Sequence, residues 1–343
     1  MPNNSTKILL LSTLMSGILI SISSSSWFGA WMGLEINLLS FIPLMMNQNN
    51  IYTTESSIKY FIVQAAASSS LLFLVLMKTM TESMTPLPES NYSSIIINTP
   101  LLLKSGAAPF HWWFPGVMEG LDWSNCLLLM TVQKMAPLML ISYQTSTQMT
   151  FLTTIILASA IVGAIGGMNQ TSLRKIMTYS SINHTGWMLA AMTISENLWI
   201  TYFAIYSLLT TTVVTIIKPF NSSFINQLML TNKKNTLTKI MLFMTLLSLG
   251  GLPPFLGFLP KWITIQAMIN NSMTAVATIM VTMSVMTLYY YLRMCYSSFM
   301  ILHDEPKWNT KSYTNNKMTG YSVMLSSMST MGLALCTTLI NIL

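Results

Sequence analysis

The sequence predicts an all-α polytopic membrane protein of about eleven transmembrane helices. Three observations predict it. Hydrophobic residues make up 52% of the 343 and charged residues only 7%, against about a quarter charged in an ordinary soluble domain. Apolar runs near the roughly 20 residues that one crossing needs recur along the whole chain between short polar clusters. Finally, Gly106-Ala-Ala-Pro109-Phe110-His-Trp-Trp-Phe-Pro115 and Gly251-Leu-Pro-Pro254-Phe255-Leu-Gly-Phe-Leu-Pro260 repeat the pattern G-x-x-P-F-x-x-x-x-P. Gly and Pro interrupt helical hydrogen bonding, which lipid tolerates only where the freed backbone is buried in protein or lines a hydrated cavity. Paired interruptions of this kind mark the broken helices of a transport pathway.

The first span, 7–24, opens at Lys7 and ends in the serines Ser23 to Ser26. Its basic start and apolar stretch also fit a signal peptide, but it runs straight into a second span, 27–46, and is read as a transmembrane helix. The second span carries Glu35 and Asn37. A third, 58–79, is followed by the polar connection 80–93. The fourth, 94–121, is long because it holds the first break, with Lys104 two residues before the repeated pattern. The fifth, 124–143, contains Lys134 and Pro137. Gly163-x-x-Gly166-Gly167 in the sixth, 150–167, and Gly29-x-x-x-Gly33 in the second are small-residue patterns of close helix packing. The seventh, 173–193, presents Ser180-Ser181-Ile-Asn183-His184. In the eighth, 197–217, Tyr206, Ser207 and Thr210 to Thr212 either hold water or bond their own helix carbonyls. After the connection 218–237 the ninth, 238–268, is long because it holds the second break, with Lys261 one residue after the pattern. The tenth, 273–300, the connection 301–319 and the eleventh, 320–342, follow. No connection is long enough for a soluble folded domain. The chain therefore reads as a single transmembrane domain, 1–343, with a first repeat about 94–217 and a second beginning about 238.

The formal net charge is +7, and with eleven spans the basic residues divide by side. Lys7, Lys59, Arg174, Lys175, Lys218, Lys233, Lys234, Lys239, Lys307, Lys311 and Lys317 fall on the side of the N-terminus, while the opposite connections offer little beyond Lys78, Glu82, Glu89 and Glu196. The asymmetry puts the N-terminus on the cytoplasm-like side and gives no reason to expect a nucleic-acid partner. Cys126, Cys295 and Cys336 are isolated within apolar segments and read as packing residues. No two histidines have metal-ligand spacing, so no metal is expected. Nothing in the chain has the form of a dinucleotide fingerprint, a P-loop, a haem attachment site or a nucleophile with its base. A chain without such chemistry moves something, and a partner supplies the energy.

An ionisable side chain near mid-membrane costs about 2.5–3.5 kcal/mol on insertion scales. Glu35, Lys104, Lys134 and Lys261 lie deep in spans; unpaired and unhydrated they would together cost on the order of 10 kcal/mol, comparable with the stability of a whole domain. One reading makes them a chain of protonatable groups, because a desolvated lysine holds its proton less tightly and a nearby glutamate restores the grip. Structural ion pairing, or snorkelling of Lys134 and Lys261, is the other. His184 is either a proton relay or a hydrogen-bonded packing residue. His111 falls within the first break, where it can satisfy freed backbone groups. Glu119 and Asp122 lie near a span end and read as solvated.

At these residues the sequence resembles the subunit 2 family of mitochondrial NADH:ubiquinone oxidoreductase, respiratory complex I, in an insect-like form. The likeness covers nearly the whole chain. It rests on Trp31-Met-Gly-Leu-Glu35-Ile-Asn37, Leu103-Lys104-Ser-Gly106-Ala-Ala-Pro109-Phe110-His111, Gln133-Lys134-Met-Ala-Pro137, Asn169-Gln-Thr171-Ser-Leu-Arg174-Lys175, Ser180-Ser-Ile-Asn-His184-Thr-Gly186-Trp, and Ser248-Leu-Gly-Gly251 through Pro260-Lys261-Trp262. The resemblance implies an antiporter-like membrane subunit built from two inverted five-helix repeats, the first helix of each broken. Glu35 would face Lys104, Lys134 would connect at the centre, Lys261 would end the second repeat, and His184 also matches a family position. It further implies a multi-pass place in the mitochondrial inner membrane, with the N-terminus in the matrix and the C-terminus in the intermembrane space. Partners would be other membrane subunits, antiporter-like and small, with accessory subunits and inner-membrane lipids around them. No cofactor is expected on this chain: NADH, FMN, iron-sulfur clusters and ubiquinone would belong to other subunits. Two other functions stand at this point, a free-standing cation/proton antiporter and a purely structural membrane-arm spacer.

Overall fold

The computed structural model describes residues 4–47, 50–84, 91–145, 149–220, 222–225, 227, 236–296, 320, 323–330 and 332. Among these no residue belongs to a β-strand; a lone bridge joins Ser172 to Phe224 and a 3-10 turn covers Lys218–Phe220. The α-helices are α1 Asn4–Ser23, α2 Trp27–Met45, α3 Ile51–Met84, α4 Asn91–Ser105, α5 Trp113–Gly120, α6 Trp123–Met130, α7 Val132–Ser142, α8 Met149–Met168, α9 Leu173–Met192, α10 Glu196–Ile217, α11 Thr236–Gly250, α12 Phe258–Asn270 and α13 Thr274–Tyr296.

Among the described residues seven helical stretches are long and apolar enough to cross a membrane: 5–23, 27–45, 51–80, 123–142, 149–168, 196–217 and 274–296. The fourth and ninth expected spans are absent from this set because a break divides each, leaving short apolar helices such as Ile95–Ser105 and Ile240–Gly250. The eleventh, 320–342, lies mostly outside the described residues. The seventh, α9, falls short because it is polar, yet from Ser180 to Met192 every residue is buried. Protein, not lipid, is therefore its solvent. Its hydroxyls are silenced locally, with Ser181, Thr185 and Ser180 donating to their own helix at 2.7, 2.6 and 2.8 Å, a short-range bond that keeps a polar helix compatible with an apolar interior.

Element boundaries depart from expectation in α3, which runs 34 residues and begins at Ile51, ahead of the expected 58. The extra turns bring in Glu55, which pairs with Lys59 at 2.7 Å, both more than half exposed; such an i,i+4 pair supports a helix by a few tenths of a kcal/mol, about 0.3–0.5. A second departure is the expected fifth span, which is interrupted at Thr131, where α6 stops and α7 starts. Pro137, with no N–H for the Gln133 carbonyl, is the helix-breaking residue downstream of that interruption.

The chain divides into two compact units, Met1–Ser159 and Ala160–Leu343. In the first, α1 packs along α2, α2 and α4 both pack on α3, and α7 meets α4, α6, α1 and α2. The α1–α2 contact is backbone against backbone: a Cβ on Gly33 would stand 2.5 Å from the Ser21 nitrogen, and one on Gly17 would stand 2.9 Å from that of Asn37. Gly29, in contrast, faces only Ser24 and Ser26. In the second unit, α10 packs on α9, α11 and α12, and α13 on α9, α11 and α12. There the small-residue pattern of α8 makes room for its neighbours, Gly163 for the Asn183 backbone, Gly166 for the Tyr179 ring and Gly167 for the Tyr290 ring.

Candidate functional site

The two copies of G-x-x-P-F-x-x-x-x-P fold into the same helix end. Helix α4 stops at Ser105 because Gly106 adopts φ +71, and its N–H and that of Ala107 reach back to the Leu103 and Leu102 carbonyls, both at 3.2 Å. Helix α11 stops at Gly250 with Gly251 at φ +85, whose N–H and that of Leu252 reach Ser248 at 3.0 Å and Leu247 at 3.4 Å. Both are Schellman caps, for which a glycine in the left-handed region is the natural residue. Each leaves the negative end of a half-helix inside the protein, a place that favours a cation.

In the first unit that cation is Lys104, in the last turn of α4 and only 7% exposed. The carbonyls around the cap are taken up: Trp113 Nε1 donates to Leu103 O at 3.1 Å and Gln64 Nε2 to Lys104 O at 3.5 Å. Half-buried Glu35 on α2 acts on Lys104 through its charge, without an ion pair within 4.0 Å. The Lys134 ammonium, 2% exposed at the start of α7, lies 4.8 Å from the centre of the Phe114 ring, close enough for a cation–π attraction. A cavity of about 20 Å³ is lined by both lysines together with Asn37, Tyr60, Gln64 and Gln133. One water needs about 10–15 Å³ and several polar partners, so this space fits one water. A polar string runs along it, Tyr60 donating to Gln133 Oε1 at 3.3 Å and Gln133 Nε2 to Asn37 Oδ1 at 2.9 Å. His111 Nδ1 stands 3.2 Å from the Pro109 carbonyl in the break, so its ring serves the freed backbone. Glu119 and Asp122 are exposed.

In the second unit the cation comes from the helix after the break. Lys261 on α12, 5% exposed, turns back so that its Nζ donates to the Gly250 carbonyl at 2.9 Å. Gly251 leaves the room for this: a Cβ there would meet Lys261 side-chain atoms at 3.0, 3.1 and 3.3 Å. The break's own backbone is also satisfied, with Leu256 N–H donating to the Ser329 carbonyl at 3.2 Å. His184 on α9 is buried with Nδ1 2.9 Å from the Tyr202 hydroxyl and its ring 5.0 Å from that of Tyr206. Of the eighth-span hydroxyls singled out in the sequence, Ser207, Thr210, Thr211 and Thr212 bond carbonyls of their own helix, which leaves Tyr206.

Each lysine is thus brought to a built polar setting within its unit, and Glu35 to electrostatic reach of Lys104. Sequence reasoning missed Tyr60, Gln64 and Trp113, and the phenol of Tyr202. Gln133 beside Lys134 and Asn37 near Glu35, both within spans, were the visible signs of a polar seam.

Comparison with known proteins gives a consistent result. Residues 24–287 match the family described as NADH:quinone oxidoreductase/Mrp antiporter, TM, and residues 288–340 match that described as NADH dehydrogenase subunit 2 C-terminus. The chain is 51% identical to NADH-ubiquinone oxidoreductase chain 2 of Anopheles gambiae, over 94% of each chain. To the protein of that name from Locusta migratoria it is 49% identical over 98% of its own length and 97% of the relative's. Its fold is like that of a chain in the solved structure of respiratory complex I from Thermus thermophilus with bound aureothin, with a TM-score of 0.82 at 21% identity, covering 97% of this chain and 79% of that one.

Proposed function

The chain belongs to the NADH:quinone oxidoreductase and Mrp antiporter membrane family, and from that premise we propose how it works as a core membrane subunit of complex I. Complex I couples electron transfer from NADH to ubiquinone to proton translocation. Relatives named as its chain 2 over nearly their full length support this assignment, as does the absence of any redox motif from the sequence. A single observation carries the mechanism. Two buried lysines sit at the negative ends of two half-helices closed by the same cap, and the first shares a water-sized cavity with a third lysine.

In this proposal a signal from a neighbouring subunit moves or shields Glu35. Lys104 feels the change at a distance, because in a low-dielectric interior a charge some ångströms away still alters how tightly an ammonium holds its proton. The proton passes by way of the cavity to Lys134 and, by the order the family resemblance implies, through His184 toward Lys261. Two inverted five-helix repeats within about eleven helices would hold this row, with the N-terminus in the matrix and the C-terminus in the intermembrane space of a mitochondrion. NADH, FMN, iron-sulfur clusters and ubiquinone are assigned to other chains, and the apolar outer faces to neighbouring membrane and accessory subunits and lipid. Native-gel separation of mildly solubilised inner membranes, with an in-gel NADH dehydrogenase stain and mass spectrometry, tests the assignment. Stoichiometric presence in the stained band is expected; migration alone would favour a free-standing cation/proton antiporter.

A further inference from the structure

Within the second unit, α9 begins in a way that helix electrostatics disfavours. Its first turn carries no acidic residue and instead holds Arg174 and Lys175, although a helix N-terminus is the positive end of the macrodipole and repels cations. Between Asp122 and Asp304 the sequence has a single carboxylate, Glu196, and it lies in the first turn of α10, beyond the far end of the 20-residue α9. Both basic residues are half-buried, so water alone does not screen them. A local rule broken without an evident compensating gain marks a functional position.

The surroundings point to an anion. Ser172, from which α9 departs, is 6% exposed and makes no capping bond. Its hydroxyl is buried without a hydrogen-bond partner among the described residues, where a serine in this place ordinarily accepts from the first-turn N–H groups. The helix mouth thus keeps an O–H to donate, beside the N–H groups that every helix N-terminus presents. A third cation reaches the same loop: Arg293, in the last turn of α13, donates from Nη2 to the Gln170 carbonyl at 3.0 Å. Backbone bonds hold the loop in place. Leu173 N–H donates to the Ser223 carbonyl at 2.9 Å and Ile225 N–H to that of Thr171 at 3.2 Å. Gln227 Oε1 accepts from the Ser223 and Phe224 N–H groups at 3.0 and 3.3 Å.

We propose that the start of α9 is a phosphate-binding site, with Ser172, Arg174, Lys175 and Arg293 as its donors, and that the phosphate belongs to the headgroup of an anionic phospholipid. Depth and surroundings favour lipid over a dissolved phosphate ion. The spanning stretches 149–168 and 274–296 both end here, which puts the loop and Arg293 at headgroup level. Around Arg293, α13 exposes Tyr289, Leu292 and Tyr296, an apolar strip for an acyl chain with a tyrosine at the level of the interface. Basic clusters between helix ends recognise anionic headgroups, and charged N–H groups bond phosphate oxygens strongly. A zwitterionic headgroup brings its own ammonium into the same positive field and is held less tightly.

The site stands apart from the proton path, and its test reads binding alone. Purified complex I is incubated with phosphatidylglycerol carrying a photoreactive group near its headgroup, or with phosphatidylcholine carrying the same group, and labelled peptides of this chain are mapped by mass spectrometry. The phosphatidylglycerol probe is expected to label peptides holding residues 169–175 or 289–296 about fivefold more than the phosphatidylcholine probe, with millimolar inorganic phosphate leaving the labelling unchanged. Arg174→Gln should lower that labelling about fivefold per assembled complex, the effect of one basic residue near an anionic lipid, and Ser172→Ala should lower it by less. Displacement of the probe by millimolar phosphate would overturn the lipid assignment and give the site to dissolved phosphate. Equal labelling by the two lipids overturns the site itself, as does unchanged labelling of an assembled Arg174→Gln complex. The comparison of lipids needs no variant, so a failure of Arg174→Gln to assemble leaves the site open to refutation.

Discussion

At the residue scale the protein solves one problem three times, holding an ammonium group where lipid would refuse it. Lys104 has a helix terminus and the field of Glu35, Lys134 the face of Phe114, and Lys261 a backbone carbonyl. The lysines were legible in the sequence because their insertion cost is large and their neighbours apolar. Apart from Glu35, their partners were not: a carbonyl freed by a break carries no signature, and Phe114 reads as an ordinary core aromatic. Glu35→Gln keeps the shape and removes the charge, so it is expected to leave assembly near normal and lower proton pumping severalfold, as measured by pH-dye quenching in reconstituted vesicles. Lys134→Met is expected to abolish most pumping in the same assay. Phe114→Leu removes an attraction of about 0.5–2 kcal/mol and should lower the thermal stability of the assembled complex with a smaller effect on pumping.

The broken helix is the element on which the site depends, and it was the most legible part of the fold. Gly at the cap and Pro beyond it fix both its position and its geometry, which is why the repeated decapeptide located both breaks. The interruption at Thr131 was not legible, since Pro137 lies downstream of it and no glycine marks it. Nor was the enclosure of α9, because polarity alone does not tell a helix buried in protein from a solvated one. The two cap glycines differ in a testable way. Alanine at either position must enter the left-handed region, at about 1–2 kcal/mol. At Gly106 it meets nothing closer than 3.5 Å, whereas at Gly251 it would press on Lys261 from 3.0 Å. Gly106→Ala should therefore lower the amount of assembled complex on native gels with pumping per complex retained, and Gly251→Ala should lower both.

For the whole molecule, composition alone settled the class. With 7% charged residues the chain offers water little surface, and the few charges it keeps inside define its work. Each of the two compact units carries a capped half-helix with its own buried lysine, an arrangement expected of a device that passes one kind of ion in steps. In the proposed mechanism the energy for those steps arrives from quinone reduction elsewhere in the complex. The most direct test is the number of protons translocated per NADH oxidised by purified, reconstituted complex I carrying Lys104→Met, alongside its yield of assembly. Intact assembly with pumping reduced severalfold is the predicted result. Unchanged pumping per NADH from a fully assembled complex would contradict the account and leave the buried lysines as structural charges only.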